Sequence, residues 1–152
     1  MRLVFFQPDI PQNLGAAIRL TACLALELEV IEPLGFPLSE KGLRRAALDY
    51  GDGGLIRRHA SWDAFLAFQR ERGGRIILFT TRGAEPYLSA RFRPDDALLF
   101  GRESAGVPEA VHQDADLRLY IPLRPGARSL NVVTAAAMAA GEALRQVGGL
   151  GQ

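Results

Sequence analysis

Apolar and polar positions along the chain sort into short β-type runs separated by helical patterns. RLVFF (2–6) and LEVIE (28–32) predict strands, the second ended by Pro33. Between them, Asp9 and Pro11 predict an N-cap and first-turn residue opening a helix through about Leu26. SEKGLRRAALDY (39–50) predicts a helix capped by Ser39, and LIRRH (55–59) a short strand. SWDAFLAFQRER (61–72) starts at Ser61 and spaces Trp62, Phe65, Leu66 and Phe68 for a helix. RIILF (75–79), ALLF (97–100) and LRLYI (117–121) have the continuous apolar character of strands covered on both faces. PEAVHQD (108–114) predicts a short helix, and a last one runs from about Leu130 to Val147.

This alternation predicts an α/β fold: a mostly parallel sheet with helices on both faces. Residues 1–152 form one expected domain, with 146–152 as a flexible tail, since neither a repeat nor a linker divides the chain. Ligands of such sheets bind beyond the carboxyl ends of the strands. The loops to inspect are therefore TTRGAEP, GRESAGVP and PLRPGARSLN, which follow the last three strands and are rich in glycine and arginine.

Composition changes this picture little. Apolar residues are 48% and charged ones 23%, an ordinary globular balance, and no apolar run approaches the roughly 20 residues that span a bilayer. The N-terminal apolar run stops at Pro8, too short for a secretion signal, so a cytoplasmic location without membrane contact is expected. Cys23 is the sole cysteine, and His59 and His112 lack metal-ligand spacing, so no metal is expected. Cys23 sits in an apolar helical pattern that suggests a small core residue. The net charge of +1 does not itself argue for nucleic acid. Lys41 is the one lysine among 18 basic residues; arginine suits phosphate, but a bias toward arginine throughout the chain explains the count equally well.

GRESAG (101–106) has a glycine at each end but is neither a P-loop nor a G-x-G-x-x-G fingerprint. Gly101, directly after a buried strand, still permits close approach of backbone to a ligand. Glu103 is a candidate to bind a ligand, to lock Arg102 or Arg128, or to be a solvated loop acid. Asn13 and Arg19 are six residues apart, so they do not share a helical face, and Asn13 would act from the helix entry. The last helix is apolar nearly all round. That implies burial under the sheet or against a second copy, the latter favoured by its many small residues.

Three runs, "IPQNLGAAIRL", "LLFGRESAGVP" and "IPLRPGARSLNVVTAAAMA", stand here in order, together with "VIEPLGFPLSEKGLRRAALDY" and "TTRG". In these the chain resembles the SPOUT superfamily of RNA methyltransferases, within it the TrmL-type (YibK-like) tRNA ribose 2'-O-methyltransferases, over residues 2–145. The resemblance implies a deep trefoil knot in the C-terminal part of the sheet. It also implies S-adenosylmethionine as cofactor, with S-adenosylhomocysteine as product, and a homodimer through the first and last helices that completes each site. The substrate it implies is the wobble nucleotide, cytidine or uridine 34, in the anticodon stem-loop of tRNA, with leucine isoacceptors expected.

Carried over by motif, Phe79, Thr80, Gly101, Ile121, Pro122, Ser129 and Leu130 match positions around the cofactor. Arg19, Asn13, Glu103, Ser129 and Asn131 match catalytic positions. Arg44, Arg45, Arg124 and Arg128 are candidate RNA phosphate contacts, with Arg57 and Arg58 weaker ones. Arg19 has two open roles, as the base for the ribose 2'-OH or as a cation that stabilises developing alkoxide charge, because a guanidinium gives up its proton only at high cost. Two alternatives stay open: the same chemistry on another tRNA or rRNA ribose, or a silent RNA-binding module of the same fold.

Overall fold

The computed structural model describes residues 1–37 and 56–149. The elements, in chain order, are β1 (Arg2–Phe6), α1 (Pro11–Leu24), β2 (Glu27–Ile31), β3 (Ile56–His59), α2 (Trp62–Arg72), β4 (Ile76–Phe79), β5 (Glu85–Pro86), β6 (Ala97–Phe100), α3 (Glu109–Asp114), β7 (Leu117–Tyr120) and α4 (Val132–Val147), with a 3-10 turn at Tyr87–Ser89. The helix expected over 39–50 lies outside the described residues.

The strands form one seven-stranded sheet in the order β3-β2-β1-β6-β4-β7-β5. Every described pairing is parallel, so the α/β expectation holds. β1 does not pair with β4; β6 lies between them, with Val4 and Leu78 both opposite Leu99. β1, β4 and β6 are buried at every position, because helices cover both faces. On one face Leu3, Phe5, Ile77, Leu98 and Phe100 pack with Leu14, Ala17 and Ile18 of α1 and with Ala136, Ala139 and Ala140 of α4. On the other, Val4, Phe6, Leu78 and Leu99 pack with Phe65 of α2 and Val111 of α3.

The helix ends follow local chemistry. Ser61 caps α2, its hydroxyl accepting from the Ala64 N–H at 3.1 Å. Asn131 caps α4, its side chain accepting from the N–H groups of Val133 (2.9 Å) and Thr134 (3.3 Å). α1 departs from expectation: Pro11 begins it, but the cap is the extended backbone of Ile10, and Asp9 is turned elsewhere. Cys23 is exposed, not a core residue. The buried stripe of α1 is Leu14, Ala17, Ile18 and Thr21, and Cys23, two positions past Thr21, lies on the far side of the helix. Among the described residues no helix is long and apolar enough to cross a membrane.

Beneath α2 the sheet carries a sealed polar cluster. Glu29 is 0% and Arg2 1% exposed, with Arg2 Nε 3.2 Å from Glu29 Oε1 and His59 Nε2 2.9 Å from Oε2. Arg2 also donates to Gln69 Oε1 and, at 3.2 Å, to the Asp95 carbonyl.

Candidate active site

Parallel strands end together, so the loops leaving β4, β6 and β7 gather at one edge of the sheet, where the start of α4 and the entry to α1 join them. They enclose a cavity of about 600 Å³, within the size range of small-molecule and cofactor sites. Phe79, Phe100, Ile121, Leu130 and Ala135 make one wall apolar, while Asn13, Glu103, Ser129 and Asn131 give the other side polar groups.

The 101–106 loop has the shape its glycines permit. Arg102 and Gly106 exchange both main-chain hydrogen bonds, at 3.0 and 2.9 Å, which folds the loop back on itself. A Cβ on residue 101 would sit 2.7 Å from the Gly106 carbonyl carbon, so only glycine fits at the base of the fold. Glu103 projects from the loop toward α1. Its Oε1 accepts from Asn13 Nδ2 at 2.9 Å and its Oε2 from the Asp9 N–H at 3.1 Å. Asn13 Oδ1 in turn accepts from Asn131 Nδ2 at 2.9 Å, and Asn131 is the cap of α4. One hydrogen-bonded line therefore runs from the loop after β6, through the first helix, to the last. Among the described residues no ion pair holds Glu103; Arg102 instead lays its guanidinium 5.6 Å from the centre of the Phe6 ring. Burial, then the neighbouring Asp9, pushes the Glu103 carboxyl above its ordinary range. Asp9 is held below its own by Glu103 and by Ser104.

Most of the expected site residues meet here. Phe79, Thr80, Gly101, Ile121, Ser129 and Leu130 line the cavity, as do Asn13, Glu103 and Asn131. Pro122 does not: it is exposed and lies outside the lining, because β7 ends at Tyr120 and the irregular segment beyond it presents Ile121 and Leu123, not Pro122, to the cavity. Arg19 is also outside the lining of this chain's cavity, exposed on α1 nearly two turns beyond Asn13. Arg128 stands at the cavity and Arg124 is exposed on the same loop, while Arg44 and Arg45 lie outside the described residues. Arg57 and Arg58 are both exposed; Arg58 pairs with Glu32 at 2.6 Å and Arg57 lies over the Phe68 ring.

Two groups went unnoticed in the sequence. Asp9 joins Glu103 and Ser104, a role that its apparent fitness as a helix cap conceals. Arg82, on the loop after β4, donates to His112 Nε2 at 2.6 Å and lies 3.6 Å from Glu109. Burial and that arginine push His112 below its ordinary range, so it is neutral and free to accept near pH 7. No local pattern links positions 82 and 112; β4 and α3 bring them together. Among the described residues no group of three or more His, Cys, Asp or Glu side chains could hold a metal ion.

The SpoU rRNA Methylase family matches residues 1–141. A tRNA (cytidine(34)-2'-O)-methyltransferase of Beijerinckia indica subsp. indica is 59% identical over 148 residues, covering 97% of this chain and 92% of the relative. A solved structure described as giving structural insights into the 2-OH methylation of C/U34 on tRNA is similar with a TM-score of 0.88 and 46% identity, covering 97% of this chain and 96% of that one. An AdoMet-bound rRNA methyltransferase from Sinorhizobium meliloti is similar with a TM-score of 0.83 and 25% identity, over 96% of this chain and 56% of that one.

Proposed function

Because the chain belongs to the SpoU rRNA Methylase family, we propose that it transfers a methyl group from S-adenosylmethionine to the ribose 2'-hydroxyl of nucleotide 34, the wobble position of tRNA. The observation that carries this reading is the line Glu103–Asn13–Asn131, which joins the three motif segments at one cavity. The relatives named for cytidine 34 and C/U34 support the substrate. Cytoplasmic tRNA, with leucine isoacceptors first, is the expected source.

The cavity suits the cofactor. Gly101 leaves no side chain between the loop backbone and a ligand, and Phe79, Ile121 and Leu130 offer an apolar wall for a nucleobase. When bound, S-adenosylmethionine supplies an electrophilic methyl carbon on a sulfonium. The chain's own task is then positioning. Asn13 is held at both ends: its amide N–H faces the Glu103 carboxylate, which accepts only, so its carbonyl is committed to Asn131. Its amide cannot rotate without breaking both bonds. Ser129, exposed at the cavity, is placed to hydrogen-bond the ribose or the cofactor, and Arg128 to meet a flanking phosphate.

Arg19 belongs to the same reading as a cation that stabilises developing negative charge on the 2'-oxygen. Its position on α1, away from this chain's cavity, supports a homodimer in which α1 and α4 of two copies face each other and Arg19 serves the partner's cavity. Met138 of α4 is 40% exposed and Cys23 of α1 is exposed, an uncovered apolar surface that such a pairing would bury. A knotted C-terminal segment completes the proposal, supported by the crowding of the 101–106 and 121–131 loops into one cavity. Arg44, Arg45, Arg124 and Arg128 are its proposed phosphate contacts; neutralising any of them should flatten the salt dependence of tRNA binding.

The test is mass mapping of tRNA nucleosides with and without the protein, S-adenosylmethionine being supplied. A gain of 2'-O-methyl at position 34 is expected; methylation at another tRNA or rRNA ribose, or none, overturns the assignment. Arg19→Ala should lose methyl transfer by at least about 100-fold while cofactor binding, read by calorimetry, persists.

A further inference from the structure

Asp9 is gripped from three sides. Its N–H donates to Glu103 Oε2, and its Oδ2 accepts from the Ser104 hydroxyl. Behind it Gly35 leaves no spare room: a Cβ there would lie 2.6 Å from Asp9 Cβ, and the Gly35 N–H is tied to the Pro8 carbonyl at 3.0 Å. The other carboxylate oxygen, Oδ1, is buried with no hydrogen-bonding partner among the described residues. A desolvated carboxylate oxygen is costly. Fold cohesion does not explain it, since an asparagine or serine would accept from Ser104 without burying a charge.

The charge acts on Glu103. Among the described residues, the charged groups around that carboxyl are Asp9 from the β1–α1 connection, Arg102 on its own loop and Arg128 on the 121–131 loop across the cavity; Asn13 and Asn131 are neutral. Arg102 is engaged with Phe6, so Asp9 is the charged group in direct contact.

We propose that Asp9 is a positioning residue for the reaction: it clamps the 101–106 loop onto the β1–α1 connection, so that Glu103 stays fixed on Asn13 and thereby on the start of α4. Asp9 lines no part of the cavity and touches neither substrate nor cofactor on this reading; it acts through Glu103. Its carboxylate also helps Glu103 keep its proton to higher pH than a free glutamate, which makes the line a titrating one.

The inference rests on the methyltransferase reading for its kinetics but not for its titration. Three full-length proteins are compared: wild type, Asp9→Asn and Asp9→Ala. The Glu103 carboxyl is followed by carbon NMR from pH 4 to 9 without tRNA, and kcat and KM are measured for methyl transfer to tRNA. In Asp9→Asn the Glu103 midpoint should fall, because the neighbouring negative charge is gone, while kcat at neutral pH stays within about threefold because Ser104 keeps its acceptor. In Asp9→Ala the clamp is lost, and kcat should fall about 10- to 100-fold with KM for tRNA changed by less than about threefold. An unchanged Glu103 midpoint in Asp9→Asn overturns the proposal. So does wild-type kcat in Asp9→Ala, or a loss of kcat there accompanied by a large fall in Tm and a rise in KM, which marks a merely structural residue. If wild-type protein methylates no tRNA, the functional reading fails, and the titration alone decides whether Asp9 sets the state of Glu103.

Discussion

Two polar networks sit in this sheet, and they are built on opposite principles. Under α2, Glu29 is enclosed by Arg2 and His59 at 0% exposure, each charge facing an opposite or hydrogen-bonding partner. At the strand ends, Glu103 has among the described residues only neutral donors, Asn13 and a main-chain N–H, and it opens on a cavity. In the first network each charge has a counter-charge within the chain, although Arg2 Nε and Glu29 Oε1 make no hydrogen bond among the described residues. The second carries a partly desolvated acid with no cation against it among the described residues, an arrangement that costs stability and suits a site where a ligand completes the contacts. The lesson is that a buried charge is informative through what it lacks.

Substitutions can test this contrast, ordered by their expected effect on stability. Glu29→Ala strands Arg2 in the interior and should cost about 3–5 kcal/mol in chemical denaturation. A loss under about 1 kcal/mol would mean that the cluster is hydrated and the contrast false. Gly101→Ala drives a Cβ to 2.7 Å from the Gly106 carbonyl carbon. It should cost roughly 1–3 kcal/mol and abolish cofactor binding in calorimetry, because the 101–106 loop must open. Asn131→Ala removes the α4 cap and should cost about 1 kcal/mol, with methyl transfer reduced further as Asn13 loses its second anchor. Glu103→Ala should cost about 1 kcal/mol or less, since Asn13, one of the two donors it frees, lines the cavity and can take up water, yet it should abolish turnover. If Glu103→Ala destabilised as much as Glu29→Ala, the two networks would be of one kind.

Much of this was legible along the chain, for physical reasons. Strands buried on both faces have unbroken apolar runs, so β1, β4 and β6 stood out within a residue at each end. The parallel sheet then located the ligand loops without any knowledge of the ligand. What stayed hidden depends on contacts distant in sequence. The two-residue β5 has no periodicity to detect, and its pairing with β7 is entirely tertiary. Asp9 looked like a helix cap because only the fold brings Ser104 to it. Cys23 and Arg19 share a helix whose apolar residues outnumber its buried ones, so the composition of α1 did not reveal which side faces the sheet. Pro122 was carried in with its motif, and the irregular segment after β7 leaves it out of the lining.

The place of β6 has a consequence for how the molecule comes to exist. β1 and β4 are translated well before it, yet each pairs with β6 and not with the other. Until residues 97–100 emerge, the middle of the sheet lacks the strand on which both neighbours pair. Pairings of such long sequence separation form slowly. The walls of the cavity, drawn from 78–81, 100–107 and 121–132, can close only after that late insertion. Assembly is therefore a gate on activity: a nascent chain short of its sixth strand holds no partial site.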